Sequence, residues 1–155
     1  MSAIHVSRRD LDDGATEALL AKHHVGFMAL AFHDRVSIGL VNYVYANRWI
    51  YGRFEGGPDL ATLQHHRWVA FEVSEIDSVY DWRTVIVHGS VDLLSPTESP
   101  QDEYRVALER LRSAVPAILT AHDPMPQRVQ LFRLHVDELV GRASRSDASA
   151  GLPLP

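Results

Sequence analysis

The basic residues of this chain are almost all of one kind. Of 15 lysines and arginines in 155 residues, only Lys22 is a lysine, so a lysine Schiff base is not expected. An anion such as a phosphate would be met by arginine forks, backbone N–H groups or hydroxyls. Such groups gather at two places. Arg53 precedes Glu55-Gly56-Gly57-Pro58-Asp59, where glycines beside a helix start turn backbone N–H groups toward one point. Trp82-Arg83-Thr84 sets a guanidinium and a hydroxyl beside an aromatic ring. Nine histidines raise the question of a metal or haem, but His23-His24 and His65-His66 are adjacent pairs that point apart on a helix. No His-x-x-x-His spacing occurs and there is no cysteine, which excludes disulfides, thiolate metal sites and a cysteine nucleophile. No Gly-x-Ser-x-Gly elbow is present either. No metal site is expected.

The elements that must position these residues are mostly strands. Asp12-Asp13-Gly14 starts a short helix to Lys22, with Leu19 and Leu20 on one face. Three strands follow at Val25 to Phe32, Val36 to Ala46 and Trp49 to Phe54, joined by tight turns at His33-Asp34-Arg35 and Asn47-Arg48. Asp59 is the expected N-cap of a helix from Leu60 to His66. A fourth strand turns Val69, Phe71 and Val73 inward, and a fifth alternates through Val85, Val87, Gly89, Val91 and Leu93. Ser99-Pro100 opens a long helix with a stripe of Tyr104, Leu108, Leu111, Val115 and Leu119, kinked near Pro116. Val129 to Val136 is the sixth strand. The strands leave no room for crossover helices, so the expected fold is mostly β with flanking helices: a six-stranded antiparallel split barrel.

Several segments carry a family pattern in order: Val25 to Leu30; Leu40-Val41-Asn42-Tyr43; Ile50 to Leu60; Val69-Ala70-Phe71-Glu72-Val73; and Trp82 to Gly89. Phe132-Arg133-Leu134 and Val140-Gly141-Arg142 stand where that pattern closes. In these segments the chain resembles the pyridoxamine 5′-phosphate oxidase-like split-barrel family, including its nitroimidazole-resistance branch. The resemblance implies a homodimer with flavin mononucleotide (FMN) at the subunit interface. It places the ring along the second and third strands, near Asn42 and Tyr43. The phosphate falls near Arg53, Gly57, Leu60, Arg83 and Thr84, with Trp82 offering a ring face. One departure bears on the phosphate, because Asp59 stands where the family carries a lysine.

Composition bounds the rest. The chain is 46% hydrophobic with a formal net charge of −5, which argues against nucleic acid as a partner. No apolar run is long enough to cross a membrane as a helix, and the location expected is cytoplasmic. One domain, residues 1–145, is expected, followed by a mobile tail at 146–155 rich in small residues and proline. Exposed aromatics (Tyr43, Tyr45, Trp49 and Trp82) argue for a homodimer. The functions compatible with this pattern are a flavin-dependent oxidoreductase on a small substrate, a non-catalytic flavin or nucleotide binder, and a cofactor-free dimeric scaffold.

Overall fold

The computed structural model describes residues 3–147. In chain order the elements are β1 (Val6–Asp10), α1 (Asp13–Lys22), β2 (Val25–Phe32), β3 (Arg35–Ala46), β4 (Trp49–Phe54) and α2 (Pro58–Leu63). They continue as β5 (Trp68–Ile76), β6 (Trp82–Leu94), α3 (Gln101–Ala114), β7 (Gln130–His135) and β8 (Glu138–Ser146). The sheet order is β1-β8-β6-β5-β2-β3-β4-β7, and β6 also pairs with β7. That extra pairing closes β2 through β7 into a six-stranded antiparallel barrel, with β8 and β1 added outside it. The six barrel strands are the six expected from the sequence.

Two long strands make the barrel split. The first part of β3 pairs with β2 and its last four residues pair with β4. Likewise β6 pairs with β5 through Ser90 and with β8 through His88, then with β7 from Val91 to Leu94. Each therefore bends from one half-sheet into the other. Met28, Tyr43, Phe71, Val87 and Phe132 fill the interior. A second cluster beneath α3 gathers Val44, Tyr51, Ala107, Leu111 and Leu131. At one end α1 seats Leu19 and Leu20, and the Tyr43 hydroxyl donates to the Leu20 carbonyl at 2.6 Å.

Local chemistry moves several boundaries. Gly57, not Asp59, is the N-cap of α2, because its φ of 137° suits only glycine and Pro58 is preformed for the first helical position. Pro100, not Ser99, caps α3, since the Ser99 hydroxyl accepts from the Ser95 N–H at 2.8 Å instead. Pro116 does not kink α3. The helix has ended at Ala114, with Val115 extended as a residue before proline prefers.

The sequence reading missed β1 because its five residues are all exposed and carry no alternation. It also put Ser146 in the tail, whereas Ser146 closes β8 and is buried. Its N–H and hydroxyl both donate to Asp81 at 2.9 Å, and Ser78 donates to the same carboxylate at 2.6 Å. Residues 148–155 of the expected tail lie outside the described residues.

Three of the four aromatics offered as a reason for dimerisation are engaged within the chain, and Trp82 stays half-exposed. Tyr43 is 1% exposed. The Arg133 guanidinium lies 4.1 Å from the centre of the Trp49 ring. Tyr45 donates to Glu17 at 2.6 Å and, half-buried, has its hydroxyl pushed up to about 12, chiefly by burial. Among the described residues, no helix is long and apolar enough to cross a membrane.

Candidate functional site at the β3 face and the glycine corner

The outer face of β3 is an apolar strip open to solvent. Val36, Ile38 and Leu40 are 69%, 70% and 53% exposed. Directly opposite residues on paired antiparallel strands share a face. By register, Leu40, Phe27, Glu72, Ile86 and Val140 therefore form one row across β3, β2, β5, β6 and β8. Phe27 is 50% exposed in that row, and Trp68 is exposed on the same sheet. Monomeric proteins seldom leave such a continuous apolar face uncovered.

The strip runs into the corner after β4. A hollow of about 270 Å³ there is lined by Leu40, Arg53, Gly57, Asp59, Leu60 and Arg128, among others. A Cβ placed on Gly56 or Gly57 would meet no atom within 4 Å, so the backbone of this corner is open to a visitor. Asp59 lies beside it in the first turn of α2, its carboxylate accepting from Ser37 at 3.3 Å.

Arg53 does not face this hollow as a free cation. Its two terminal nitrogens donate to Asp123 at 2.6 and 2.8 Å, and one also reaches the Arg128 carbonyl at 3.2 Å. The two side chains are 8% and 1% exposed. The Arg53 guanidinium, with help from the Met125 and Leu119 N–H groups, holds the Asp123 carboxyl well below the usual carboxylate range. The fork expected to grip an anion is thus committed inside the chain.

Arg128, which the sequence reading overlooked, is placed differently. One terminal nitrogen donates to Asn42 Oδ1 at 3.1 Å, and Arg128 makes no ion pair among the described residues. It lies in an irregular proline-bearing segment, so no periodicity pointed to it. Asn42 is exposed on the outer face and Leu60 is half-buried at the corner. Tyr43, the next residue along the strand, points the opposite way into the barrel. Its ring packs edge-on against Phe71, and burial pushes its hydroxyl up.

The other three expected residues stand elsewhere in the chain. Thr84 shares the outer face, but β6 is three strand spacings from β3, about 14 Å. Its hydroxyl lies 3.0 Å from that of Ser74. Trp82 and Arg83 border a separate hollow of about 520 Å³ with Arg9, Asp81 and Arg145. Arg83 pairs with Glu75, which also takes Lys22 at 2.9 Å and His23 at 2.7 Å. Led by Lys22, these partners hold the Glu75 carboxyl down to about 2, against an ordinary 4.5. A lowered carboxyl contributes stability that is fully present above pH 4.5 and lost as pH falls toward 2. Glu75→Gln should therefore unfold with a flatter pH dependence than the wild-type chain across that window. Parallel curves in acid denaturation would contradict the assignment.

Comparison with known proteins bears on the fold. A FAD-binding protein from Mesorhizobium loti shares the fold with a TM-score of 0.71 at 18% identity, over 91% of this chain and 99% of that one. A FAD binding protein from Mycobacterium smegmatis gives 0.64 at 21% identity, over 88% and 100%. A FAD and heme binding protein from the same organism gives 0.64 at 16% identity, over 94% and 75%. No curated protein matches the sequence. The profile of the pyridoxamine 5′-phosphate oxidase family matches residues 12–143, the whole barrel with α1 and most of β8, and the chain belongs to that family.

Proposed function

We propose that the chain is a homodimeric flavin-nucleotide-binding protein, with FMN as its cofactor, that acts as an oxidoreductase on a small substrate. The observation that carries this reading is the junction of an exposed apolar strip on β3 with an open glycine corner. A flat apolar ring suits the strip, and a phosphate suits a corner whose backbone carries no side chain. Family membership supports the flavin, and the uncovered face supports a second copy. The dimer also addresses the separation of the candidate residues. A second copy laid face to face on the outer face would present its own Thr84 hydroxyl to that face. A bound flavin supplies hydride or electron transfer, so the protein's residues need only orient the ring, exclude water and admit the substrate.

Asp59 is the misfit, since its carboxylate opposes a phosphate dianion at the corner. Asp59→Lys should raise FMN affinity about tenfold at low salt, and less at high salt, while riboflavin affinity stays level. Equal changes for both ligands would move the phosphate away from the corner. FAD is a second reading, favoured by a further hollow of about 440 Å³ that shares Pro58 and Asp59 with the first. There Asp59 could accept from ribose hydroxyls instead of opposing a terminal phosphate.

The deciding experiment is the absorbance spectrum of the purified protein with the mass of any released chromophore. Light scattering should report about twice the 17.4 kDa chain mass. A colourless protein that takes up neither nucleotide would sink the flavin reading, and a monomer would sink the interface. Flavin without oxidation of a reduced nicotinamide or deazaflavin donor would leave a binding module.

A further inference from the structure

Beside the glycine corner lies a second, smaller hollow of about 220 Å³, between β3 and the segment that follows α3. Its walls are apolar: Leu111, Val115, Ile118 and Met125, with Ala114 at the end of α3. Its polar groups are His24, Asn42, Arg53 and Arg128. Arg53 is neutralised by Asp123. His24 has one ring nitrogen 3.0 Å from the Tyr43 carbonyl. Arg128 has no carboxylate partner among the described residues and borders both this hollow and the one at the corner.

The far wall is held in place. Asp123 accepts from the Leu119 and Met125 N–H groups at 2.8 and 2.9 Å while Arg53 grips it from β4. Segment 115–128 is thus clamped to the barrel, and Pro116, Pro124 and Pro126 restrict it further. A hollow walled in this way is formed before any ligand arrives, which lowers the ordering cost of binding.

From the unpaired Arg128 at the mouth of this apolar hollow, we infer a subsite for a small carboxylate with an apolar body: a single ring or a short branched chain. An apolar cavity of about 150 Å³ holds a benzene ring, so 220 Å³ admits a ring with a short arm. The guanidinium offers the carboxylate a charge-assisted, bidentate partner. Asn42 borders both the hollow and the outer strip, which sets the occupant beside the proposed flavin. That the occupant is the flavin's substrate rests on the reading above; that the hollow binds such an anion does not.

Phenylacetate and phenylacetamide are matched probes, equal in ring and arm but differing in charge. Calorimetric or NMR titration would use the full chain, with and without added flavin. Phenylacetate should bind about 10- to 100-fold more tightly than the amide. Arg128→Met should erase that preference. Ala114→Leu, at an exposed position that lines the hollow, should weaken both probes and leave FMN affinity unchanged. If phenylacetate binds and no flavin does, the flavin reading fails and the subsite stands. The subsite is overturned if phenylacetate fails to bind in either state. It is equally overturned if Arg128→Met keeps the preference or Ala114→Leu leaves both affinities intact. Loss of FMN but not riboflavin in Arg128→Met, with phenylacetate unaffected, would give Arg128 to the phosphate instead.

Discussion

Gly89→Ala should cost the barrel its closure. A Cβ at this position would sit 1.7 Å from the His135 carbonyl oxygen, at the bend where β6 leaves β5 for β7. The obstruction is backbone, which has no rotamer to escape into. Relief requires β6 and β7 to part at the one pairing that joins the ends of the barrel. Overpacking of this kind costs about 3 kcal/mol or more, a large share of the stability of a domain this size. The expected result is a chain that is largely insoluble, or one that unfolds at much lower denaturant than the wild type. Gly39→Ala is the control, because a Cβ there meets nothing within 4 Å. A Gly89→Ala chain with the wild-type urea midpoint would show that the close approach is not required.

The second large effect is expected at the Arg53–Asp123 pair. Removing one partner of a buried ion pair leaves the other charged and desolvated, which is far costlier than removing both. Arg53→Ala should lower the melting midpoint by roughly 10 °C. Arg53→Lys keeps the charge but loses the fork, so it should fall between. Because Asp123 also holds the Leu119 and Met125 N–H groups, the damage should extend to segment 115–128. Hydrogen exchange would report this as faster exchange of those amides. Arg53→Ala combined with Asp123→Ala should be less harmful than either alone. Additive losses in that double-mutant cycle would rule out the coupling.

The barrel was legible because its strands carry their own punctuation. Val85, Val87 and Val91 alternate cleanly, and Asn47-Arg48 marks its turn with two positive φ angles, 50° and 69°. Polar strands were not legible. Val-Ser-Arg-Arg-Asp in β1 has no buried side chain, and only its register with β8 makes it a strand. The candidate site was legible by position more than by partner. Asn42, Gly57 and Leu60 stand at or beside the corner, while Tyr43, one residue from Asn42, is turned inward by the strand's two-residue period. Which arginine remained free could not be read at all. Arg53 is neutralised by a residue 70 positions away, in a segment with no periodicity, and that same segment contributes Arg128.

The outermost strands have a kinetic consequence. Hairpins such as β2–β3 and β5–β6 join neighbours in sequence and lose little chain entropy on forming. The β1–β8 ladder sets Val6 against Ser146, so it must wait until nearly the whole polypeptide has been gathered. Its β1 member is also poorly insulated, since every residue of β1 is exposed. The order of assembly and the order of fraying therefore mirror each other. The first strand docks last, and it is the first to come away when the native state breathes, while the closed ring of β2 to β7 stays intact.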